Sequence, residues 1–179
     1  MFNKAVNSAQ PTKGDADKFL SFKMGNENFG IGILSVKEII EYGGITDVPM
    51  MPDFVRGAIN LRGHVVPVMD LAIRLGRKPQ EVSRRTCVVI VEVMSEGYKL
   101  DVGIVVDAVN EVIDIVPENI EPAPTLGGKV KTEFLKGMGK IGEKFLVLLN
   151  IENVLTLKDI ELINTTIAGG LGVNGGGRA

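Results

Sequence analysis

An all-β chain made of two copies of a small barrel and finished by a C-terminal helix is the fold this sequence predicts. Three observations carry the expectation. The stretch Gly30–Ile40 is answered residue for residue by Gly103–Ile113, in a register that runs on to Pro49 and Pro122. A second pair follows: Phe54–Gly57, Gly63 and Pro67–Leu71 answer Phe134–Gly137, Gly142 and Val147–Ile151. The two pairs are spaced by about 73 and about 80 residues, so the second copy carries a longer loop. That period is too long for a solenoid unit and suits a small β domain. Finally, apolar residues recur with period two or in short runs punctuated by Gly, Pro, Asn and Asp, while helical signals are few.

Taken in order, residues 1 to about 17 are polar and read as a flexible arm. Phe19–Met24 alternates, Gly25–Asn28 turns, and Phe29–Ile33 returns, which makes a hairpin. Val65–Val68, Cys87–Val93 and Asp101–Val106 are rich in β-branched residues and predict strands. Pro67 implies an edge or a bulge, because it donates no ladder hydrogen bond. Phe145–Leu149 is a further strand, bounded by Gly142 and Asn150.

Met69–Leu75 allows two helical turns stopped by Gly76. The stronger helix lies over about 151–164. Asn150 is placed to cap it, Thr156 to Asp159 forms a capping-box-like restart, and Ile151, Val154, Leu155, Ile160 and Ile163 make its apolar stripe. The tail from Thr165 is glycine-rich and reads as flexible. The organisation is therefore an arm over 1–17, a repeat-bearing region over 18–164 and a tail over 165–179. Within the repeat-bearing region the first repeat spans about 18–84 and the second about 85–150.

Composition narrows the function. With 20 Lys and Arg against 22 Asp and Glu, the net charge is −2, and no basic cluster suits nucleic acid. Trp is absent, which argues against stacking platforms for single strands. No apolar run is long enough to span a bilayer, and the N-terminal residues, without an apolar h-region, do not read as a signal peptide. Cys87 is alone, which fits a reducing cytoplasm and a small buried hydrophobe in its strand.

No catalytic set is visible. His64 is the only histidine and follows Gly63 in a turn, so it reads as solvent-facing. One His and one Cys cannot build an ordinary zinc site. Gly127–Lys129 lacks the spacing of a phosphate-binding loop. The expectation is a protein without enzymatic activity, metal or cofactor, working through its surfaces.

The most unusual stretch is Pro49–Gly63. Pro49 and Pro52 stiffen its entry, Gly57 and Gly63 bracket a short strand, and Gly63 suits a positive φ. Arg62 precedes that turn, with a planar fork suited to a carboxylate or a partner surface. Solvated-turn and bulge readings of Arg62 and Gly57 stay open at this point.

Phe54–Gly63 followed by Val65–Leu71 resembles the signature of the CheW family, the bacterial chemotaxis coupling proteins. Phe29–Ile33, Val36–Ile39, Gly103–Asp107 and Ile120–Pro124 support the resemblance, which runs from about Lys18 to about Leu157. It implies two SH3-like five-stranded barrels with an apolar core between them. It also implies a non-catalytic cytoplasmic adaptor that links chemoreceptor cytoplasmic tips to the regulatory domain of the histidine kinase CheA. Carried over by motif, Glu38 and Arg62 form a charged pair near the receptor groove, with Val36, Ile39, Val55, Gly57, Asn60, Gly63 and Val88 as neighbours. Kinase-contact residues are not assigned. The alternative is a stand-alone module of another histidine-kinase system, serving motility or gene regulation. A small-ligand-binding barrel is a third reading.

Overall fold

The computed structural model describes residues 16–79, 81–95, 97–123 and 132–167. Most of the expected arm and tail, Gly127–Lys129 and most of the longer loop of the second copy lie outside these residues. Eleven strands are described: β1 (Asp17–Met24), β2 (Glu27–Gly32), β3 (Val36–Glu41), β4 (Val55–Leu61), β5 (His64–Asp70), β6 (Cys87–Ser95), β7 (Tyr98–Val106), β8 (Ala108–Ile115), β9 (Ile120–Glu121), β10 (Leu135–Ile141) and β11 (Lys144–Leu149). Three helices join them: α1 (Leu71–Arg74), α2 (Ile151–Val154) and α3 (Leu157–Ile167).

The strands form two sheets, ordered β8-β1-β2-β11-β10-β9 and β3-β6-β7-β5-β4. Each curls towards closure. In the second sheet the edges β3 and β4 are tied together, because Tyr42 follows β3 and its hydroxyl accepts from Arg56 Nη1 of β4 at 2.7 Å. Thr46 then bridges Ala58 through two backbone hydrogen bonds of 2.8 and 2.9 Å.

The duplication is visible strand by strand. β1 and β2 correspond to β6 and β7, β3 to β8, β4 to β10, β5 to β11 and α1 to α2. Even the irregularities repeat. β4 has a bulge between Val55 and Gly57, and β10 has one between Leu135 and Gly137. Gly57 has φ +147°, and a Cβ there would stand 2.2 Å from the Thr46 carbonyl oxygen; at Gly137 it would stand 2.7 Å from that of Glu121. This equivalence of Thr46 with Glu121 corrects the expected alignment of Pro49 with Pro122. The repeat register slips by two residues after β3, because the chain reaches the bulge by a shorter path there.

Neither barrel is built from one repeat alone. The sheet β3-β6-β7-β5-β4 takes β3, β4 and β5 from the first copy and the hairpin β6–β7 from the second. The other sheet takes β8 to β11 from the second copy and the hairpin β1–β2 from the first. The copies have exchanged their first hairpins.

This arrangement explains the uninterrupted apolar run in β6. Val88 and Ile90 fill the inside of one barrel with Ile59, Val66, Val68 and Val105. Val89, Val91 and Val93 point the other way, into the seam. The seam is the largest core. It packs Phe22, Phe29 and Ile31 against Met69, Ile104 and Val106, and is closed by Ile151, Val154, Leu155 and Ile163. A smaller cluster of Phe19, Ile115, Leu146 and Leu148 fills the other barrel.

Local signals were mostly realised. α1 is capped by Asp70, which accepts from Ile73 N at 3.2 Å, and Gly76 follows with φ +81°. Pro67 sits where β5 has β4 on one side only, since the parallel pairing with β7 begins at Val68. The C-terminal helix is not continuous: it breaks at Leu155 and Thr156, where Thr156 N and Asp159 Oδ2, and Asp159 N and Thr156 Oγ1, close a capping box at 3.0 Å each. Asn150 precedes α2 without a side-chain capping bond. Cys87 is half-buried rather than fully buried, and its thiol donates to the Arg85 carbonyl at 3.3 Å.

Candidate partner-docking site

The expected charged pair is present. Arg62 lies in the β4–β5 turn and Glu38 in β3, on the opposite edge of the same sheet. Arg62 Nη1 donates to Glu38 Oε1 at 2.6 Å, and Nη2 to Oε2 at 3.0 Å. The turn aims the fork. Arg62 has φ +53° and Gly63 φ +86°, so both central residues are left-handed, as a tight hairpin with the native strand twist requires. Asn60 fixes the turn by accepting from Gly63 N at 2.9 Å.

The pair stands largely in solvent; the Arg62 side chain is 69% exposed and that of Glu38 is 29% exposed. Hydrogen bonding from Arg62 holds the Glu38 carboxyl below the usual glutamate value, and the same bonds raise the arginine. Next to it, Lys37 Nζ donates to Asp101 at 3.0 and 3.2 Å, and Asp101 raises its pKa. These four side chains line a shallow groove of about 120 Å³ with Leu61, His64, Val66 and Ile90. Ile39 and Val65, each next in its strand to a residue of the groove, are exposed but do not line it.

The other expected site residues divide into surface and support. Ile39, Asn60 and Gly63 are exposed; Val36 and Val55 are half-buried and pack on the seam. Gly57 is buried, and its role is to let the Thr46 carbonyl approach. Val88 is a correction: it is fully buried, with Cγ1 where a Cβ on Gly103 would be 2.7 Å away, and it offers no surface to a partner. It lies in the core under the site.

The duplication gives this groove a counterpart that sequence reasoning missed. On the other barrel a groove of about 230 Å³ is lined by Ser21, Asn28, Asn110, Glu111, Ile141, Lys144 and Phe145, among others. Asn110 and Glu111 stand where Lys37 and Glu38 stand in the first groove. Asn28 replaces Asp101, Lys144 replaces His64 and Phe145 replaces Val65. The hairpin registers set Gly142 at the position of Arg62 and not at that of Gly63, which corrects the expected match by one residue, so the bidentate ion pair has no equivalent. The Lys37–Asp101 ion pair becomes a hydrogen bond, Asn110 Nδ2 donating to Asn28 Oδ1 at 3.3 Å. The repeat offset alone could have located this second groove.

A second missed cluster holds the site's barrel shut from within. Arg56 donates to Asp70 Oδ2 from Nε at 2.9 Å and from Nη2 at 2.6 Å. Asp70 is 2% exposed and Arg56 half-buried, and the other Asp70 oxygen caps α1. A third feature ties the two halves together. The Arg74 guanidinium lies 4.7 Å from the Phe54 ring centroid and 5.2 Å from that of Phe134. It donates to the Val154 carbonyl at 2.6 Å and to Asp159 at 2.8 Å.

Among the described residues no group of three or more His, Cys, Asp or Glu is placed to hold a metal ion. No described helix is long and apolar enough to cross a membrane. What the arrangement offers is an exposed surface with a fixed charged pair beside aliphatic side chains.

Known proteins share this architecture. The CheW-like domain family model matches residues 18–159. The chemotaxis protein CheW of Klebsiella aerogenes is 39% identical over 82% of this chain and 86% of its own length. The probable chemotaxis protein CheW of Rhizobium etli is 32% identical over 83% of this chain and 93% of its own. The crystal structure of the scaffolding protein TtCheW from Thermoanaerobacter tengcongensis matches with a TM-score of 0.71 at 33% identity, over 80% of this chain and 95% of that one.

Proposed function

The chain belongs to the CheW-like domain family, and from that membership we propose that it is a non-catalytic chemotaxis adaptor. It couples the cytoplasmic tips of chemoreceptors to the regulatory domain of the histidine kinase CheA, and it works in the cytoplasm. The observation that carries the reading is the exposed, bidentate Glu38–Arg62 pair at the rim of its groove.

An ion pair so open to solvent adds little to stability, so its fixed geometry is of most use to a partner. A receptor helix laid across β3 would meet Ile39 as an aliphatic anchor and the Arg62 fork as a polar guide, a helix-in-groove mode. Val36 and Val55, half-buried against the seam, offer further aliphatic surface at these strands, while Asn60 and Gly63 hold the turn. Net charge of −2 gives no strong steering, so contact geometry decides affinity.

The test is a pull-down with a receptor tip and a CheA regulatory domain, each offered separately. Wild type captures both. Ile39→Asp and Arg62→Ala lose the receptor tip while their thermal midpoints stay close to wild type. Val88→Asp, by contrast, unfolds, because it buries a charge in the barrel interior. Wild type that captures neither partner, or surface variants that capture the receptor undiminished, would sink the proposal.

A further inference from the structure

We propose that each half of this chain is the other's obligate folding partner, so that the protein is the fused form of a strand-exchanged pair of half-chains. Divide the chain between Glu81 and Val82, in the exposed connection from α1 to β6. In the first half only β1–β2 and β4–β5 can pair, apart from the Thr46–Ala58 bridge. Among the described residues strand β3 ladders only with β6, in the second half. In the second half β6 pairs with β7, and β9 to β11 pair among themselves, but among the described residues β8 ladders only with β1. Each half alone is therefore reduced to hairpins, a lone strand and one short three-stranded piece. Isolated hairpins are marginal in water.

Burial says the same. Phe19, Phe22, Phe29 and Ile31 of the first half are each at most 2% exposed, and they are enclosed largely by strands and helices of the second half. Val88 and Ile90 of the second half fill a barrel that takes Ile59, Val66 and Val68 from the first. The seam is crossed again by Arg74, held by Phe134, Val154 and Asp159. Against this, the covalent link contributes little. Glu81, Val82, Arg84 and Arg85 are all exposed, and the hydrogen bonds there belong to a small local turn between Ser83 and Thr86.

The experiment inserts a site-specific protease sequence between Glu81 and Val82 of the full chain and cuts it. The cut protein should elute as one species at the uncut volume with an unchanged far-UV spectrum. Its unfolding becomes bimolecular, so its thermal midpoint should rise by about 5 °C per tenfold increase in concentration, while that of the uncut chain stays fixed. Separation into two folded halves, collapse on cutting, or a midpoint indifferent to concentration would each overturn the proposal. Should the insertion itself disturb folding, residues 1–81 and 82–179 are produced together as two chains. Recovery as a one-to-one complex supports the proposal, and recovery of either half folded by itself refutes it.

Discussion

Gly57→Ala should be the costliest small change on the surface-bearing barrel. The new Cβ would lie 2.2 Å from the Thr46 carbonyl oxygen and 2.9 Å from Ile45 Cγ2, at a φ of +147°. The oxygen belongs to the backbone, so it yields only if the Thr46–Ala58 bridge opens. That bridge consists of two hydrogen bonds of 2.8 and 2.9 Å. Losing them costs about 0.5–1.5 kcal/mol each. The backbone conformation costs an alanine about 1–3 kcal/mol more. The total is about 2–6 kcal/mol.

Gly63→Ala is the control. Its φ is +86°, yet no atom lies within 4 Å of the added carbon, so only a left-handed cost of about 1–2 kcal/mol applies. Urea unfolding followed by far-UV circular dichroism suits a chain without Trp. At a slope of about 2 kcal/mol/M, Gly57→Ala should lower the midpoint by roughly 2 M and Gly63→Ala by less than about 1 M. Equal losses in the two variants would refute the argument that the carbonyl approach dictates glycine.

Two further outcomes are expected. Arg74→Ala takes a donor from the Val154 carbonyl and from Asp159, which keeps the Thr156 N hydrogen bond, and opens the space between two phenylalanine rings. It should cost about 3 kcal/mol, and Arg74→Lys should recover little because an ammonium lacks the planar fork; full recovery by lysine would contradict the stacking role. The Glu38–Arg62 contribution should be pH-dependent only in acid. The Glu38 carboxyl is held below its ordinary value of 4.5 by hydrogen bonding to Arg62. Its stabilisation is therefore complete above that value and disappears as pH falls through the lower folded one. The stability difference between wild type and Arg62→Ala should stay flat from about pH 6 to 8 and shrink below about pH 4.5; a difference that grows in acid would be the wrong sign.

Much of this was legible in the sequence because duplication doubles every signal. The paired glycines at 57 and 137 mark one bulge twice, and two matching hairpins and two apolar runs announce two barrels. The exchange of hairpins was not legible. Alternation in β1 or β6 states which residues are buried but not against which sheet, since pairing partners far apart in sequence leave no local trace. Val88 was misplaced for a related reason. In a strand buried on both faces, neighbours such as Val88 and Val89 are equally apolar, and nothing local separates a barrel interior from a seam. Arg62 hid its backbone because a positive φ is usually announced by glycine, and here the announcing glycine is its neighbour Gly63.

The Phe54–Arg74–Phe134 stack has a consequence beyond stability. Phe54 and Phe134 are copies of one ancestral position, and the copy of Arg74 is Val154, whose carbonyl the arginine holds. A single guanidinium fills the space between the matched rings, so the two copies could not stay identical. A dimer of identical subunits must show the same face at both ends, and it can only join like to like. Once fused, the copies were free to drift apart, and they have: where one groove keeps the Glu38–Arg62 pair, the other has Glu111 and a glycine. A connector with two unlike ends has a direction, and that is what a protein needs if it is to stand between two different neighbours.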